Sequence, residues 1–300
     1  MRPRPRIETR RPGASTGHLS GGWTGDGAPA SEAGLLSGSG APRYHVTTDT
    51  APRRAHKNMR HLIWFSCGAA SAVAAKLGVD AYGSRCEVVY CDTMATEHPD
   101  NRRFFEDVQR WIGRRITVIR SAKYATIDDV FERTKYMAGI AGARCTTELK
   151  KLPREAFQHP DDVHVFGYTA EEGDRAEAFE VRNPALKVDW ILIERNINKD
   201  RCLSILSAAG IELPAMYSLG FDHNNCLGCV KSTSAGYWNR TRREFPDVFE
   251  RRARQSRAIG ARLVRVAGER VFLDQLPPDA DAPDDAIECG PVCQMPLLAV

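Results

Sequence analysis

The stretch His61-Leu62-Ile63-Trp64-Phe65-Ser66-Cys67-Gly68-Ala69-Ala70-Ser71-Ala72-Val73-Ala74-Ala75-Lys76 decides how the rest of the chain is read. It opens with an apolar run of strand length and closes with an Ala-rich segment of high helix propensity. Between them, Ser66-Cys67-Gly68-Ala69-Ala70-Ser71 is a turn of small residues. A strand, a tight turn and a helix start bring free backbone N–H groups and the positive helix end to one spot, which makes an anion site. Bulky side chains there would keep a phosphate away, whereas Ser66 and Ser71 add hydroxyls. The spacing S-x-G-x-x-S is neither G-x-x-x-x-G-K-[ST] nor G-x-G-x-x-G.

Outward from this stretch the chain alternates. Cys86 to Cys91 reads as a second strand ending at Asp92-Thr93, and 99–112 as a helix with Phe104, Phe105, Val108 and Trp111 at helical spacing. Strands are expected at 116–119, 163–167 and 190–193, with a helix at 127–134. This alternation predicts an α/β fold, a doubly wound and mostly parallel sheet covered on both faces. Ligands of such sheets sit beyond the carboxyl ends of the strands; Ser66, Asp92 and Gly167 all fall at such ends. Further on, helices are expected at 199–209 and 237–259, and Gly268-Glu269-Arg270 as the turn of a small hairpin. Three regions result: an Arg/Pro/Gly/Ser-rich extension, 1–58, that reads as disordered; the α/β domain, 59–212; and a Cys-bearing C-terminal extension, 213–300.

With 42% hydrophobic and 27% charged residues the chain can bury a core. A net charge of +4 permits an anionic ligand without arguing for nucleic acid. No apolar run reaches bilayer length and no leader pattern opens the chain, so a cytoplasmic protein without a membrane partner is expected. Nine cysteines without an export signal point to metal or thiol chemistry in a reducing compartment rather than to disulfides.

Several groups carry candidate chemistry. Gly142 to Pro153 reads as a basic helix beginning at Thr146 or Thr147, which would set hydroxyls, N–H groups and Lys150 near an anion. Gly167 allows a close backbone approach, Arg175 can fork onto phosphate, and Glu172 can hold Arg175 in place. Cys226-Leu227-Gly228-Cys229 is a knuckle suited to zinc or iron–sulfur ligation, and Cys289 with Cys293 forms a second pair. Cys67, Cys86, Cys91 and Cys202 read as buried residues.

Taken in order, these motifs resemble the phosphoadenosine phosphosulfate (PAPS) reductase-like family of the PP-loop, adenine nucleotide alpha-hydrolase-like superfamily. The resemblance spans Arg60 to Cys293. It implies that Ser66, Cys67, Gly68, Ala69, Ala70 and Ser71 form the PP-loop and that Asp92, Thr93, Gly167 and Glu172 join them around an adenine nucleotide, ATP or APS/PAPS. Glu97 and His98 are weaker candidates. Cys145, Lys150 and Pro153 match the family's Cys-Cys-x-x-Arg-Lys-x-x-Pro element, with Thr146 in place of the second Cys; Cys145, Lys150 and Arg175 are thereby the expected catalytic residues. A [4Fe–4S] cluster or zinc is expected on Cys226, Cys229, Cys289 and Cys293, the rival set being Cys145, Cys226 and Cys229. Glu288-Cys289-Gly290 also resembles the reductases' nucleophilic tail. Two activities follow: adenylation of an acceptor with pyrophosphate release, or thiol-dependent reduction of APS/PAPS with a thioredoxin-like or other sulfur-donor partner. Ala70 stands where ATP pyrophosphatases carry Asp, which counts against the first. A non-catalytic nucleotide sensor or nucleic-acid-binding module on a four-cysteine zinc is the alternative.

Overall fold

Five consecutive buried residues, His61–Phe65, form β1 at the centre of a sheet. A strand covered on both faces has no solvent side, hence its unbroken apolar run. A computed structural model of the chain describes residues 59–139 and 142–284. The 1–58 extension and the second cysteine pair, Cys289 and Cys293, lie outside the described residues. After β1 come α1 (Ala69–Tyr82), β2 (Cys86–Cys91), α2 (Asn101–Ile112), β3 (Thr117–Ile119), α3 (Ile127–Thr134), β4 (Ala138–Gly139) and β5 (Gly142–Ala143). Then follow α4 (Arg144–Thr146), α5 (Leu152–Phe157), β6 (Val163–Phe166), α6 (Gly173–Arg182), β7 (Lys187–Asp189) and α7 (Lys199–Ala208). The C-terminal part holds α8 (Ala215–Ser218), α9 (Ala235–Glu244), α10 (Pro246–Ile259), β8 (Val264–Val266) and β9 (Glu269–Val271).

The central sheet has five strands in the order β3-β2-β1-β6-β7, and every pairing is parallel. The chain runs outward from β1 to β3 and returns to the other side for β6 and β7. The order therefore reverses between β1 and β6. Side chains alternate between two layers. Ile63, Phe65, Val88, Tyr90 and Val165 pack with residues of α1, α2 and α7. Leu62, Trp64, Val89 and Phe166 pack with α6 and Trp190. Helices on both faces make this a doubly wound α/β fold. No described helix is long and apolar enough to cross a membrane.

A second core lies beside this one. Ile127, Val130 and Phe131 of α3, together with Met137, Ala143 and Leu149, cluster with Met216, Trp238, Phe249 and Leu273. Residues from the middle of the α/β region thus share a core with the C-terminal part. A buried ion pair joins them: Arg252 of α10, 1% exposed, donates to Asp128 of α3. Burial alone would raise the Asp128 carboxyl, but Arg252 and Gln255 hold it below its ordinary value.

Four local expectations change. Trp190–Ile193 is not a strand: Glu194 N–H bonds Trp190 O, and Ile197 N–H bonds Leu192 O. The strand is the preceding polar edge segment β7, whose partly exposed side chains leave no apolar signature. The helix of the basic segment starts at Arg144, with Ala143 as its cap, rather than at Thr146 or Thr147. The 237–259 run is two helices, because Pro246 has no N–H with which to continue α9. The hairpin turn is Ala267-Gly268, both with left-handed φ (49° and 87°), so Glu269 and Arg270 belong to β9.

One buried group sets a pH limit. Trp64 Nε1 donates to His164 Nδ1 at 3.0 Å, and the two rings lie within 7° of parallel. Burial, with Arg154 nearby, lowers His164 to about 4. The ring is neutral at pH 7 and carries its proton on Nε2. A His depressed in the fold binds its proton more readily when unfolded. Its contribution is therefore complete above about pH 6.5 and lost as pH falls toward 4. Urea unfolding is expected to show a loss of about 2–3 kcal/mol from this group across that window. His164→Gln, which keeps an acceptor for Trp64, should flatten the profile; an unchanged slope would assign the loss to other groups.

Candidate functional site

β1 ends at Phe65 and α1 begins at Ala69, with Gly68 as its N-cap. Between them the loop is braced by its own serines. The Ser66 N–H and hydroxyl each donate to Ser71 Oγ at 3.1 Å, and that hydroxyl donates to Gly68 O at 2.9 Å. Cys67 holds a left-handed φ of 58°, which costs a side-chain-bearing residue about 1–2 kcal/mol. Its carbonyl accepts from Asn224 Nδ2 at 2.7 Å. Gly68 has no side chain with which to cap α1, and the Ala69 N–H reaches the Tyr217 hydroxyl only at 3.5 Å. Gly167, at the end of β6, closes this corner. A Cβ there would stand 2.7 Å from the N and Cα of Ser71. The glycine therefore serves the approach of α1 to β6.

This corner opens into a cleft at the strand-order reversal. Ser66, Gly68, Ala69, Ala70, Ser71 and Gly167 line one part of it, and Lys150, Arg175 and Lys199 also reach it. Lys150 arrives on a π-helical segment, Thr147–Lys151, set between α4 and α5. Such a segment re-aims side chains within a helix, and here Glu148, Leu149 and Lys150 are all buried. Arg175 donates to the Glu172 carboxylate and stacks 4.2 Å over the Tyr168 ring. Glu172 in turn accepts from the Thr169 N–H at 2.9 Å. Glu172 is thus the anchor for Arg175 and is outside the cleft lining. His223 lines the cleft too; burial, with the Lys199 cation beside it, lowers it to about 4. It is neutral at pH 7, so the positive charge comes from Lys150, Arg175, Lys199 and the α1 end.

Other expected residues lie elsewhere. Asp92 accepts from Arg120 Nε at 2.6 Å and lines a separate surface groove with it. Thr93 is buried and donates to Glu97, and it is Glu97 that lines the cleft. The Cys67 thiol is sealed inside; burial, with Glu97 nearby, pushes it well above its ordinary value. Cys145 packs against the second core. Among the described residues the cleft lining includes Cys226 and not Cys145. Cys86, Cys91 and Cys202 are buried, as expected. Lys199, Tyr217, His223 and Asn224 enter the site without a sequence motif, since each is brought there by the fold.

The Cys226–Cys229 turn abuts this cleft. Gly228 takes a left-handed φ of 62°, and a Cβ there would lie 2.9 Å from Val248. Thr96 O accepts the Leu227 N–H at 2.9 Å, Tyr237 accepts the Cys229 N–H at 2.7 Å, and Arg252 Nε donates to Gly228 O at 3.2 Å. The turn shape and two buried sulfurs suit a metal knuckle. The expected four-cysteine site also calls on Cys289 and Cys293, which lie outside the described residues. Among the described residues no group of three or more His, Cys, Asp or Glu side chains is placed to bind a metal. The structure therefore does not gather Cys145 with Cys226 and Cys229 into one such group.

Comparison with family models and with curated proteins finds no match. Two outcomes are expected from this geometry. Gly167→Ala should lower stability by about 1–3 kcal/mol in urea unfolding, because the new methyl meets backbone. In iron, zinc and sulfide analysis after anaerobic purification, Cys226→Ser and Cys289→Ser should lose metal while Cys145→Ser retains it. The reverse pattern for Cys289 and Cys145 would favour the three-cysteine set.

Proposed function

We propose that the cleft binds an adenine nucleotide and that the protein is a PAPS-reductase-like enzyme of sulfur-linked chemistry. One arrangement carries this reading. The uncapped start of α1, Lys150, Arg175 and Lys199 surround a cleft at the strand-order reversal, and its wall also holds Cys226. Helix-end N–H groups and three cations suit a phosphate or phosphosulfate chain. Trp64, Phe166, Tyr168 and Tyr217 supply apolar surface for a base.

Ala70, at the loop position where ATP pyrophosphatases carry Asp, favours the thiol-dependent reaction. A protein thiolate attacks the sulfonate sulfur of APS or PAPS; the sulfur–oxygen bond breaks, and AMP or adenosine 3′,5′-bisphosphate leaves. A second thiolate then attacks the resulting S-sulfocysteine, forming a disulfide and releasing sulfite. An external dithiol, such as a thioredoxin-like protein, reduces that disulfide. The ATP-splitting reaction has one observation in its favour: Glu97 puts a carboxylate in the cleft that the loop itself, with Ala70, lacks.

Purified protein should release sulfite when supplied with APS or PAPS and a dithiol, and is assayed in parallel with ATP. Pyrophosphate release instead would select adenylation, and nucleotide binding with neither product would select a sensor. Ser66→Ala combined with Ser71→Ala should weaken nucleotide binding by about 1–3 kcal/mol in calorimetry. Lys150→Ala or Arg175→Ala should weaken a phosphate-bearing ligand more than adenosine. Unchanged affinity in folded variants of all these sites would remove the nucleotide reading.

A further inference from the structure

A buried chain of hydrogen bonds runs from the β2 end to the cleft and stops at an acceptor with nothing to accept. Thr93 Oγ1 donates to one oxygen of Glu97, and Asn101 Nδ2 donates to the other at 2.7 Å. Asn224 Nδ2 donates to Asn101 Oδ1 at 2.9 Å and to the Cys67 carbonyl at 2.7 Å. Both amide hydrogens of Asn224 are thus engaged by oxygens. This fixes the orientation of the amide, because a flip would set oxygen against two acceptors. Asn224 is 7% exposed, and its Oδ1 is sheltered from solvent with no donor among the described residues. A buried acceptor left open is uncommon in native proteins and calls for a partner.

Asn224 and Glu97 both line the cleft. Each carries a side-chain oxygen, which repels a phosphate and accepts from an N–H or O–H group. The cations Lys150, Arg175 and Lys199 provide the opposite chemistry in the same cleft. Resting on the nucleotide reading above, we propose that Asn224 is a specificity-determining residue whose Oδ1 accepts a hydrogen bond from the nucleoside part of the ligand. The donor is the exocyclic amine of adenine or a ribose hydroxyl. Because the donors from Asn224 through Asn101 point toward Glu97, a ligand donor completes a polarised series. The same amide holds the left-handed Cys67 peptide, so the residue that reads the nucleoside also braces the loop that meets the phosphates.

AMP is the part common to ATP and APS, so it is the probe of choice. Calorimetric titration of the full chain with AMP, purine riboside monophosphate, 2′-deoxy-AMP and 3′-deoxy-AMP tests each donor in turn. One of the three analogues should bind about 10- to 100-fold more weakly than AMP. In Asn224→Leu that penalty should vanish, leaving AMP and the analogue within about threefold, whatever the loss in absolute affinity. A purely structural Asn224 would weaken all four ligands alike and leave their ratios unchanged. Asn224→Ala, with less steric demand, gives the same reading if the Leu variant does not fold. Analogues that all bind the unaltered protein as AMP does, or a penalty that survives in a folded Asn224 variant, overturn the proposal while the nucleotide reading stands. No binding of AMP at all removes both.

Discussion

The site depends on how closely two pieces of backbone approach. The start of α1 lies against the end of β6, with Gly167 and Ser71 so near that a single methyl group would collide. That approach is possible only because β1 and β6 are neighbours, and they are neighbours only because the chain doubles back after β3. Everything useful in the cleft follows from it. The α1 N–H groups face the reversal point, the serine-braced loop sits over the sheet, and Arg175 arrives in the first turn of α6, the helix that follows β6. A bulkier residue at Gly167 would push α1 away and disperse these donors.

The second dependence is electrostatic. Arg252 is almost fully buried, and its charge is tolerated because Asp128 and the Gly228 carbonyl meet it. Removing one partner of such a pair costs about 3–5 kcal/mol, since the remaining charge stays buried. The pair ties α3 to α10 and supports the Cys226–Cys229 turn from behind. The second core is thereby a scaffold for that turn, while the first core is a scaffold for the loop. The two meet at the cleft, where Cys226 and Asn224 stand among residues from the sheet side.

Much of this was legible in the chain. An apolar run, a small-residue turn and an Ala-rich segment determined β1, the loop and α1, because strand burial, close approach and helix propensity are local requirements. Alternating strands and helices determined the α/β class and the strand ends where a ligand would lie. Lys150, Gly167 and Arg175 were found because they sit in segments with recognisable spacing. The sequence also placed the Cys226–Cys229 turn, whose middle glycine takes a left-handed conformation.

Only the tertiary structure decided which strand ends face the same cleft. Asp92 and Gly167 both end strands, yet Asp92 turns to Arg120 and a separate groove. Lys199, His223 and Asn224 belong to no motif, since their meeting depends on chain reversals far from any of them in sequence. The π-helical turn that carries Lys150 inward, and the shared core of α3 with the C-terminal helices, are likewise results of packing. Local sequence determines backbone preference and apolar periodicity; it does not determine which distant side chains become neighbours. That is set when burial and hydrogen-bond satisfaction are met over the whole fold at once.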